Sequence, residues 1–332
     1  MNILLTGGAG YIGSHTAVAL IEAGYNIFIY DNFVNSHYQV ISKLKEITGV
    51  TINTIEGDIR DLNLLTKVLS NNNIDVVMHF AGLKAVNESI HNPMLYYSNN
   101  VVGAINLIEA MKFAKIKKII FSSSATVYGN PEYLPIDEVH PVKAINPYGE
   151  TKICIEQILK YLADSDNEWK ILSLRYFNPL GSHESGLIGE NPKGQPNNLM
   201  PFLLKVANKE IDSLIIHGGD YETKDGTCIR DYIHIKDLAN GHLAGLKNIE
   251  EINGFLAVNL GTSMGCSVRE IIDIFEKANG KKINFKIGPR RNGDVAVCFA
   301  SALKAKETLK WSASLTLEDM CKTAWNFYEK TH

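Results

Sequence analysis

Residues 2–13 are Asn2-Ile-Leu-Leu-Thr-Gly-Gly-Ala-Gly-Tyr-Ile-Gly13, and this stretch decides the fold. The apolar run ahead of the glycines is too short for a helix and predicts a buried parallel strand that ends at Thr6. Gly7, Gly10 and Gly13 follow at intervals of three, and the apolar periodicity of the next ten residues predicts a helix. The segment is therefore predicted to form a strand, a glycine turn and the start of a helix.

Such a turn lets backbone N–H groups approach a pyrophosphate, which then lies at the positive end of the helix. The spacing differs from the standard Gly-x-Gly-x-x-Gly fingerprint, so the glycines alone leave a plain structural turn open. Residues 26–30 predict a second strand, and Asp31 at its end is placed to bind the hydroxyls of an adenosine ribose. An acid there repels a 2′-phosphate, and we therefore predict NAD rather than NADP.

Beyond Asp31, short apolar strands alternate with helices up to residue 176. The predicted strands are residues 51–55, 75–80, 118–122 and 171–176, and the predicted helices are residues 38–47, 61–69 and 94–114. This alternation gives right-handed βαβ units and predicts an α/β fold with a Rossmann-type doubly wound parallel sheet.

The pattern after residue 177 is less regular. Helices are predicted near residues 199–207, 235–246, 268–279 and 317–329, and strands near residues 214–217, 255–259 and 283–287. We expect a cofactor-binding Rossmann domain over residues 1–177 and a smaller mixed α/β substrate domain over residues 178–332. The chain is expected to cross between the two more than once.

The composition is typical of a globular protein and excludes several classes of function. The chain has 332 residues, 45% of them hydrophobic and 21% charged, and a net charge of −3. Without basic runs or long apolar stretches, we expect no nucleic-acid partner, no membrane partner and no signal peptide. The five cysteines lack zinc-like spacing, so we expect no metal, no disulfide framework and a cytoplasmic location.

A second pattern concerns catalysis. Tyr148 and Lys152 are four residues apart, which places them on one helix face. The fifth strand ends in Ser122-Ser-Ser124, which puts hydroxyls at the edge of the sheet where ligands bind. A nearby Lys⁺ and a positively charged nicotinamide both favour a tyrosinate, which is a general base for a carbinol proton beside the nicotinamide ring. By itself, a Tyr and a Lys at this spacing are more often a core tyrosine beside a surface lysine. The prediction of a catalytic pair therefore also depends on the glycine turn.

Together these motifs resemble the UDP-glucose 4-epimerase family, in the extended branch of the short-chain dehydrogenase/reductase superfamily. The resemblance covers essentially the whole chain, and no single motif would carry it. The segments are residues 6–13, 56–60, 79–86, 121–129, 146–152, 174–179, 196–201 and 226–234.

The resemblance implies Tyr148 as the base, Lys152 on the nicotinamide ribose and Ser124 as a hydrogen-bond partner of the sugar 4-oxygen. It implies NAD contacts from Gly7, Gly10, Tyr11, Ile12, Gly13, Asp31, Asn32, Phe33, Asn35, Ser36, Asp58, Ile59, Phe80, Ala81, Gly82, Lys84, Asn99, Ser122, Ser124, Tyr148, Lys152 and Phe177. It implies substrate contacts from Lys84, Ser124, Tyr148, Asn178, Asn198, Leu199, His217, Arg230, Arg291, Asp294 and Cys298. The residues alone leave two alternatives to these contacts open: Asp58 is a helix N-cap, and Lys84 is a solvated surface charge.

The activity implied by the resemblance is the interconversion of UDP-glucose and UDP-galactose, in galactose metabolism and the supply of sugar nucleotides. C4 is oxidised with NAD, the 4-keto intermediate rotates while UDP stays anchored, and the ketone is reduced on its other face. NAD is expected to stay bound through turnover. The resemblance also implies a homodimer that pairs through helices near residues 94–114 and 148–162.

Three other functions remain to be weighed. Sugar-nucleotide dehydratases carry an Asp-Glu pair after the strand-end Thr, where this chain has Ala125 and Thr126, and neither residue transfers protons near neutral pH. A UDP-glucuronate epimerase would need further polar or cationic groups by the sugar carboxylate. A catalytically silent NAD-binding module would have no need of Tyr148, Lys152 and Ser124.

Two positions depart from the pattern that the resemblance implies. Cys298 stands where family members confined to glucose and galactose usually have a bulky Tyr, and members with a small residue there admit N-acetylated sugars. We therefore predict that UDP-GlcNAc and UDP-GalNAc are also substrates, although an inert thiol is the alternative. His217 replaces an aromatic hydrophobe beside the uracil, which leaves that stacking contact open.

Overall fold

The computed structural model describes residues 1–194, 198–291 and 293–332. The strands are β1 (Asn2–Thr6), β2 (Asn26–Asp31), β3 (Asn53–Glu56), β4 (Val76–His79), β5 (Lys118–Ser124), β6 (Lys170–Tyr176), β7 (Asn178–Leu180), β8 (Leu214–His217), β9 (Ile229–His234), β10 (Gly254–Leu260), β11 (Gly265–Ser267), β12 (Phe285–Gly288) and β13 (Val297–Cys298). The α-helices are α1 (Tyr11–Glu22), α2 (Gln39–Thr48), α3 (Leu62–Asn71), α4 (Val86–His91), α5 (Pro93–Tyr96), α6 (Gly103–Phe113), α7 (Pro147–Ser165), α8 (Leu199–Ala207), α9 (Ile235–Lys247), α10 (Val268–Asn279) and α11 (Leu317–Thr331).

A seven-stranded parallel sheet forms the centre of the fold, in the order β10-β6-β5-β4-β1-β2-β3. Its strands are buried on both faces, because alternate side chains enter different cores. In β1, Ile3 and Leu5 pack with helix residues such as Ala17 and Leu238, whereas Leu4 packs on the other face with residues such as Leu107. This arrangement confirms the predicted Rossmann-type α/β fold.

Strand β10 lies in the central sheet, although its sequence was grouped with the C-terminal elements. It pairs in parallel with β6 over residues 254–260, so the chain returns to this sheet after forming β7, β8 and β9. An apolar run indicates a strand but not its partner, because the hydrogen bonds that fix the partner are made between backbones far apart in sequence.

The C-terminal strands β7, β9, β11 and β13 were not predicted from the sequence. Strands β7, β11 and β13 have only two or three residues each, and the central strand, β9, carries the polar residues Arg230 and Asp231. Asp231 is fully buried, and its carboxylate accepts hydrogen bonds from the backbone N–H groups of Thr262 (2.8 Å), Ser263 (3.1 Å) and Ala300 (3.1 Å). A buried acid satisfied by distant partners breaks the hydrophobic alternation on which strand prediction depends.

The predicted helix over residues 94–114 is helical throughout but not uniform. Helix α5 continues into a π-helical segment at Tyr97–Val102 and then into α6. Within the described ranges, no helix has both the length and the apolar character required to cross a bilayer.

Candidate active site

A cavity of about 440 Å³ follows the carboxyl edge of the central sheet, where parallel α/β sheets bind their ligands. Twenty of the predicted cofactor residues line it: Gly7, Gly10, Tyr11, Ile12, Gly13, Asp31, Asn32, Asn35, Ser36, Ile59, Phe80, Ala81, Gly82, Lys84, Asn99, Ser122, Ser124, Tyr148, Lys152 and Phe177. Among the predicted substrate residues, Asn178 and Asn198 also line it, with Lys84, Ser124 and Tyr148. The structure thus brings most of the predicted site together.

The glycine turn has the geometry that a pyrophosphate requires. Gly7 has φ +71°, and a Cβ at Gly13 would lie 2.5 Å from the carbonyl oxygen of Gly7, so α1 approaches β1 only because this position is glycine. Gly10 is the N-cap of α1 and gives the helix no side-chain hydrogen bond. The first N–H groups of α1 are therefore available to an anion, which fits the diphosphate of NAD.

Asp31 connects the glycine turn to the loop after β2. Its carboxylate accepts hydrogen bonds from the backbone N–H groups of Ala9 (3.0 Å) and Phe33 (2.9 Å) and from Ser36 Oγ (2.9 Å). Phe33, a predicted cofactor residue, does not line the cavity, because its ring packs on Tyr38 at 5.0 Å between centroids. The acid is thus held in place at the end of the strand where a ribose would lie.

Asp58 also lies outside the lining of the cavity, between the lining residues Gly57 and Ile59. Its carboxylate accepts hydrogen bonds from Arg60 (Nη2 at 2.7 Å) and Asn32 (3.0 Å). The hydrogen bond from Arg60 holds the pKa of this carboxyl well below its usual range. Asp58 is not the N-cap of α3, since the side chain of Asp61 fills that place.

The predicted catalytic residues converge at the start of α7. Tyr148 and Lys152 are 8% and 5% exposed, and the Lys152 ammonium lies 5.8 Å from the centroid of the Tyr148 ring. Lys152 Nζ donates to the carbonyl oxygen of Ser122 at 2.8 Å. Ser124 Oγ accepts hydrogen bonds from the backbone N–H (3.2 Å) and the hydroxyl (2.9 Å) of Thr126. The base, its cation and the hydroxyl therefore lie on the wall of one cavity.

Burial acts against the charged form of both residues. It raises the pKa of Tyr148 to about 12, and the hydrogen bond with Ser124 opposes this rise. It lowers the pKa of Lys152 to about 8, opposed by the negative charge of Glu156. Lys152 alone therefore does not make Tyr148 a phenolate at neutral pH, and the second cation named in the sequence analysis, an oxidised nicotinamide, is needed as well.

Four of the remaining predicted substrate residues form a second group outside the lining of the cavity, on β9, on β13 and in the segment before β13: Arg230, Arg291, Asp294 and Cys298. Arg230 donates to the carbonyl oxygen of Val295 (2.7 Å), and Arg291 Nε donates to Asp294 (2.9 Å). Arg230 and Cys298 are Cα partners of β9 and β13. Cys298 also packs against the apolar cluster that contains Phe177, a residue of the cavity wall, so this group adjoins the cavity through Cys298.

Two other predicted contacts are placed apart from the cavity. Leu199 is the first residue of α8 and is not among the lining residues. His217 ends β8, and its Nδ1 lies 3.3 Å from the carbonyl oxygen of Pro289. In the motif at residues 196–201, positions 196 and 197 lie outside the described residues.

Sequence reasoning missed the segment of residues 187–192, which lines the cavity, and also Tyr176. Lys84 Nζ and Asn198 Nδ2 both donate to Glu190 of this segment, at 3.0 and 2.5 Å. Lys84 is therefore paired with an acid, although its side chain remains exposed to solvent. The irregular sequence around Glu190 carries no periodic signal. The only indication was that long loops of this kind are usually functional.

The doubly wound sheet, the glycine turn and the buried Tyr148–Lys152 pair define a Rossmann-type nucleotide-binding protein with a tyrosine–lysine active site. The family model described as GDP-mannose 4,6 dehydratase matches residues 4–324. A UDP-glucose 4-epimerase of Bacillus subtilis is 51% identical to the chain, over 98% of this chain and 96% of the relative.

Solved structures agree with the sequence relatives. The UDP-glucose 4-epimerase of Bifidobacterium longum, in complex with NAD+ and UDP, is 48% identical with a TM-score of 0.97, over 100% of this chain and 99% of that one. The UDP-Glc/GlcNAc 4-epimerase of Campylobacter jejuni is 35% identical with a TM-score of 0.86, over 99% of both chains. The chain belongs to the UDP-glucose 4-epimerase family, in the extended short-chain dehydrogenase/reductase superfamily.

Proposed function

We propose that this chain is an NAD-dependent isomerase that interconverts UDP-glucose and UDP-galactose by inverting C4. The observation that carries the proposal is the position of Tyr148, Lys152 and Ser124 in the cavity that begins at the glycine turn. A base, a cation and a hydroxyl beside a dinucleotide site suit oxidation and re-reduction of a carbinol carbon. Family membership makes a UDP-hexose the substrate.

The residues of the cavity fit NAD. The start of α1 would hold the pyrophosphate, Asp31 the adenosine ribose and Lys152 the nicotinamide ribose. NAD supplies the hydride acceptor and donor at C4. An oxidised nicotinamide also carries the positive charge that Tyr148 needs, because burial raises the pKa of the phenol.

Tyr148 would take the proton of the C4 hydroxyl during oxidation and return it during reduction. Ser124 Oγ would hydrogen-bond the same oxygen, and Thr126 orients Ser124 by donating two hydrogen bonds to it. The group of Arg230, Arg291 and Asp294 would anchor the UDP part, since Arg offers planar bidentate donors to a diphosphate. A firm hold on the nucleotide leaves the 4-keto sugar free to rotate.

The other activities fit the site less well. Water elimination needs an acid and a base after β5, and this chain has Ala125 and Thr126, whose hydroxyl is directed to Ser124. A silent NAD-binding module would not require a buried Tyr148–Lys152 pair. A glucuronate epimerase would require a further cation for the sugar carboxylate, and assays with UDP-glucuronate separate that activity from the one proposed.

The test is the variant Tyr148→Phe, assayed for UDP-galactose turnover without added NAD. The phenol oxygen is the only group removed, so turnover is expected to fall by at least about 100-fold, the usual contribution of a general base. The matched control is Tyr133→Phe, which loses only a hydrogen bond to Asp137 at a half-exposed site. Unchanged turnover in Tyr148→Phe would show that the proposed base is wrong.

We also propose activity on UDP-GlcNAc and UDP-GalNAc. The support is Cys298, a small side chain on β13 that is partly exposed and adjoins the cluster containing Phe177. The relative from Campylobacter jejuni, which shares this fold, is described as a UDP-Glc/GlcNAc 4-epimerase and supports such a dual activity. The variant Cys298→Tyr is expected to lose the N-acetyl activity and keep the hexose activity, and equal loss of both would contradict the proposal.

Assembly, location and domain division complete the proposal. We propose a homodimer in the cytoplasm, with residues 1–177 as the main part of the NAD-binding domain and residues 178–332 as the main part of the UDP-sugar-binding domain. The dimer is supported by large exposed apolar side chains on α5, α6 and α7, among them Met94, Phe113 and Tyr161.

A further inference from the structure

A buried carboxylate lies one helical turn beyond Lys152 and is not used by the chemistry above. Glu156 is 5% exposed, and its Oε1 accepts hydrogen bonds from Ser123 Oγ (2.7 Å) and Ser173 Oγ (2.8 Å). Both carboxylate oxygens also accept from Arg175, with Nη2 at 2.6 Å from Oε2. Glu156 and Arg175 therefore form a buried ion pair.

This pair is attached to the catalytic end of β5. Successive side chains of a strand point to opposite faces, so Ser122 and Ser124 line the cavity while Ser123 points away from it to Glu156. The backbone of the same strand holds Lys152, through the carbonyl oxygen of Ser122. A displacement of Ser123 would therefore move the hydroxyls of Ser122 and Ser124 and also the carbonyl oxygen that holds Lys152.

The pair also acts on the site by charge. The negative charge of Glu156 opposes the desolvation that lowers the pKa of Lys152 to about 8. Removal of a buried negative charge lowers the pKa of every ionisable neighbour, and removal of the positive charge of Arg175 raises them. The two halves of the pair therefore have opposite expected effects on Tyr148 and Lys152.

The other ionisable groups that face the pair and the active site are His79, Tyr96, Tyr128, Glu138, Tyr176 and Lys304. Burial lowers the pKa of His79 to about 3 and raises the pKa of each of the three tyrosines, so these four are neutral around pH 7. Glu138 and Lys304 interact electrostatically with each other and with Arg175. Glu156 is accordingly the acid that acts on Lys152.

We propose that Glu156 is a positioning residue of the active site, whose carboxylate, paired with Arg175, fixes Ser123 at the end of β5 and places a buried negative charge one helical turn from Lys152. The inference rests on the proposed function for the identity of Tyr148 as the base. It assigns no contact between Glu156 and substrate or cofactor.

The test compares Glu156→Gln, Arg175→Gln and the double variant in the holoenzyme. Glu156→Gln is expected to move both limbs of the pH profile of kcat/KM to lower pH by about one pH unit, and Arg175→Gln to move both to higher pH. The double variant restores the charge balance, so its profile is expected to return to that of the unmodified chain. Ser173→Ala removes a hydrogen bond to Glu156 without changing charge and is the matched control, with no shift expected.

A second measurement separates this inference from the proposed function. The phenolate absorbance of Tyr148, taken as the difference between each chain and its Tyr148→Phe counterpart, reports the titration without turnover. Failure of the unmodified chain to epimerise UDP-galactose would overturn the proposed function alone. Unchanged titrations, or shifts of the same sign in the two single variants, would overturn the role of Glu156. If one single variant fails to fold, the sign of the other decides.

Discussion

At the scale of the residue, the site places ionisable groups where burial disfavours their charge. Lys152 is 5% exposed, and desolvation lowers its pKa from 10.5 to about 8. The folded chain thus binds its proton less tightly than the unfolded chain. Below about pH 8 both states are protonated and the folded state carries the full unfavourable energy, which disappears as the pH rises from about 8 to 10.5.

Lys152→Met is therefore expected to raise the free energy of unfolding at neutral pH while it abolishes turnover. The gain is at most about 1.5 kcal/mol, because about 3 kcal/mol of desolvation is relieved and about 1.5–3 kcal/mol of hydrogen bonding from the ammonium to Ser122 is lost. Urea unfolding of the nucleotide-free protein at pH 7 and pH 10 measures it, with a smaller gain expected at pH 10. A loss of stability at pH 7 would contradict this origin of the lowered pKa.

Gly13 carries a prediction about the cofactor. A Cβ there would lie 2.5 Å from the carbonyl oxygen of Gly7, so Gly13→Ala is expected to push α1 away from β1 and cost about 1–3 kcal/mol of stability. The amount of NAD that copurifies with the chain, released by acid and quantified, should fall. Gly10→Ala is a milder control, since its Cβ would lie 3.2 Å from the same oxygen. Equal NAD content in all three chains would argue against the glycine turn as the pyrophosphate site.

At the scale of the element, two irregularities place side chains in the site. The π-helical segment Tyr97–Val102 directs Asn99 to the cavity and Asn100 to the loop after β4. Asn100 accepts a hydrogen bond from Leu83 N (2.8 Å) and donates to Leu83 O (3.0 Å). Such segments often occur at functional sites, because the extra residue changes which side chains share a face.

The start of α7 is the second such place, since Tyr148 lies in its first turn. Asn146 caps the helix by accepting a hydrogen bond from Gly149 N at 2.9 Å. Asn146→Ala is expected to cost about 1 kcal/mol of stability and to lower kcat, because the turn that holds the phenol loosens. Asp61→Ala removes the equivalent cap of α3, away from the cavity lining, and should cost similar stability with kcat unchanged. If Asn146→Ala and Asp61→Ala changed kcat equally, the cap at Asn146 would have no specific role in holding Tyr148.

At the scale of the whole molecule, the cavity depends on chain segments far apart in sequence. Tyr11 donates to the carbonyl oxygen of Gly181 (2.6 Å), and Lys193 Nζ donates to that of Phe33 (2.6 Å). Lys84 is joined to Glu190 at 3.0 Å. The loop of residues 181–193 is thus tied to points after β1, β2 and β4, and its residues 187–192 line the cavity.

The proposed homodimer is tested at this scale. Phe113 is 73% exposed at the end of α6, so Phe113→Glu is expected to weaken an interface that buries it and to shift the chain towards a monomer. Sedimentation velocity at several concentrations measures the shift. Ile215→Glu, at a 54% exposed site on β8, is the matched control. A monomeric unmodified chain, or an unaffected dimer in Phe113→Glu, would contradict pairing through this helix.

The sequence by itself determined the parallel sheet, the glycine turn, Asp31 and the Tyr148–Lys152 pair. Each is a local pattern, since strands, turns and a helix spacing of four residues depend on neighbours in sequence. Only the tertiary structure decided the place of β10, the burial of Asp231, the attachment of Glu190 to Lys84, and the ion pair of Glu156 with Arg175. These depend on contacts between residues distant in sequence, and burial, which sets the pKa of Lys152 and Tyr148, arises only when the whole chain has packed around them.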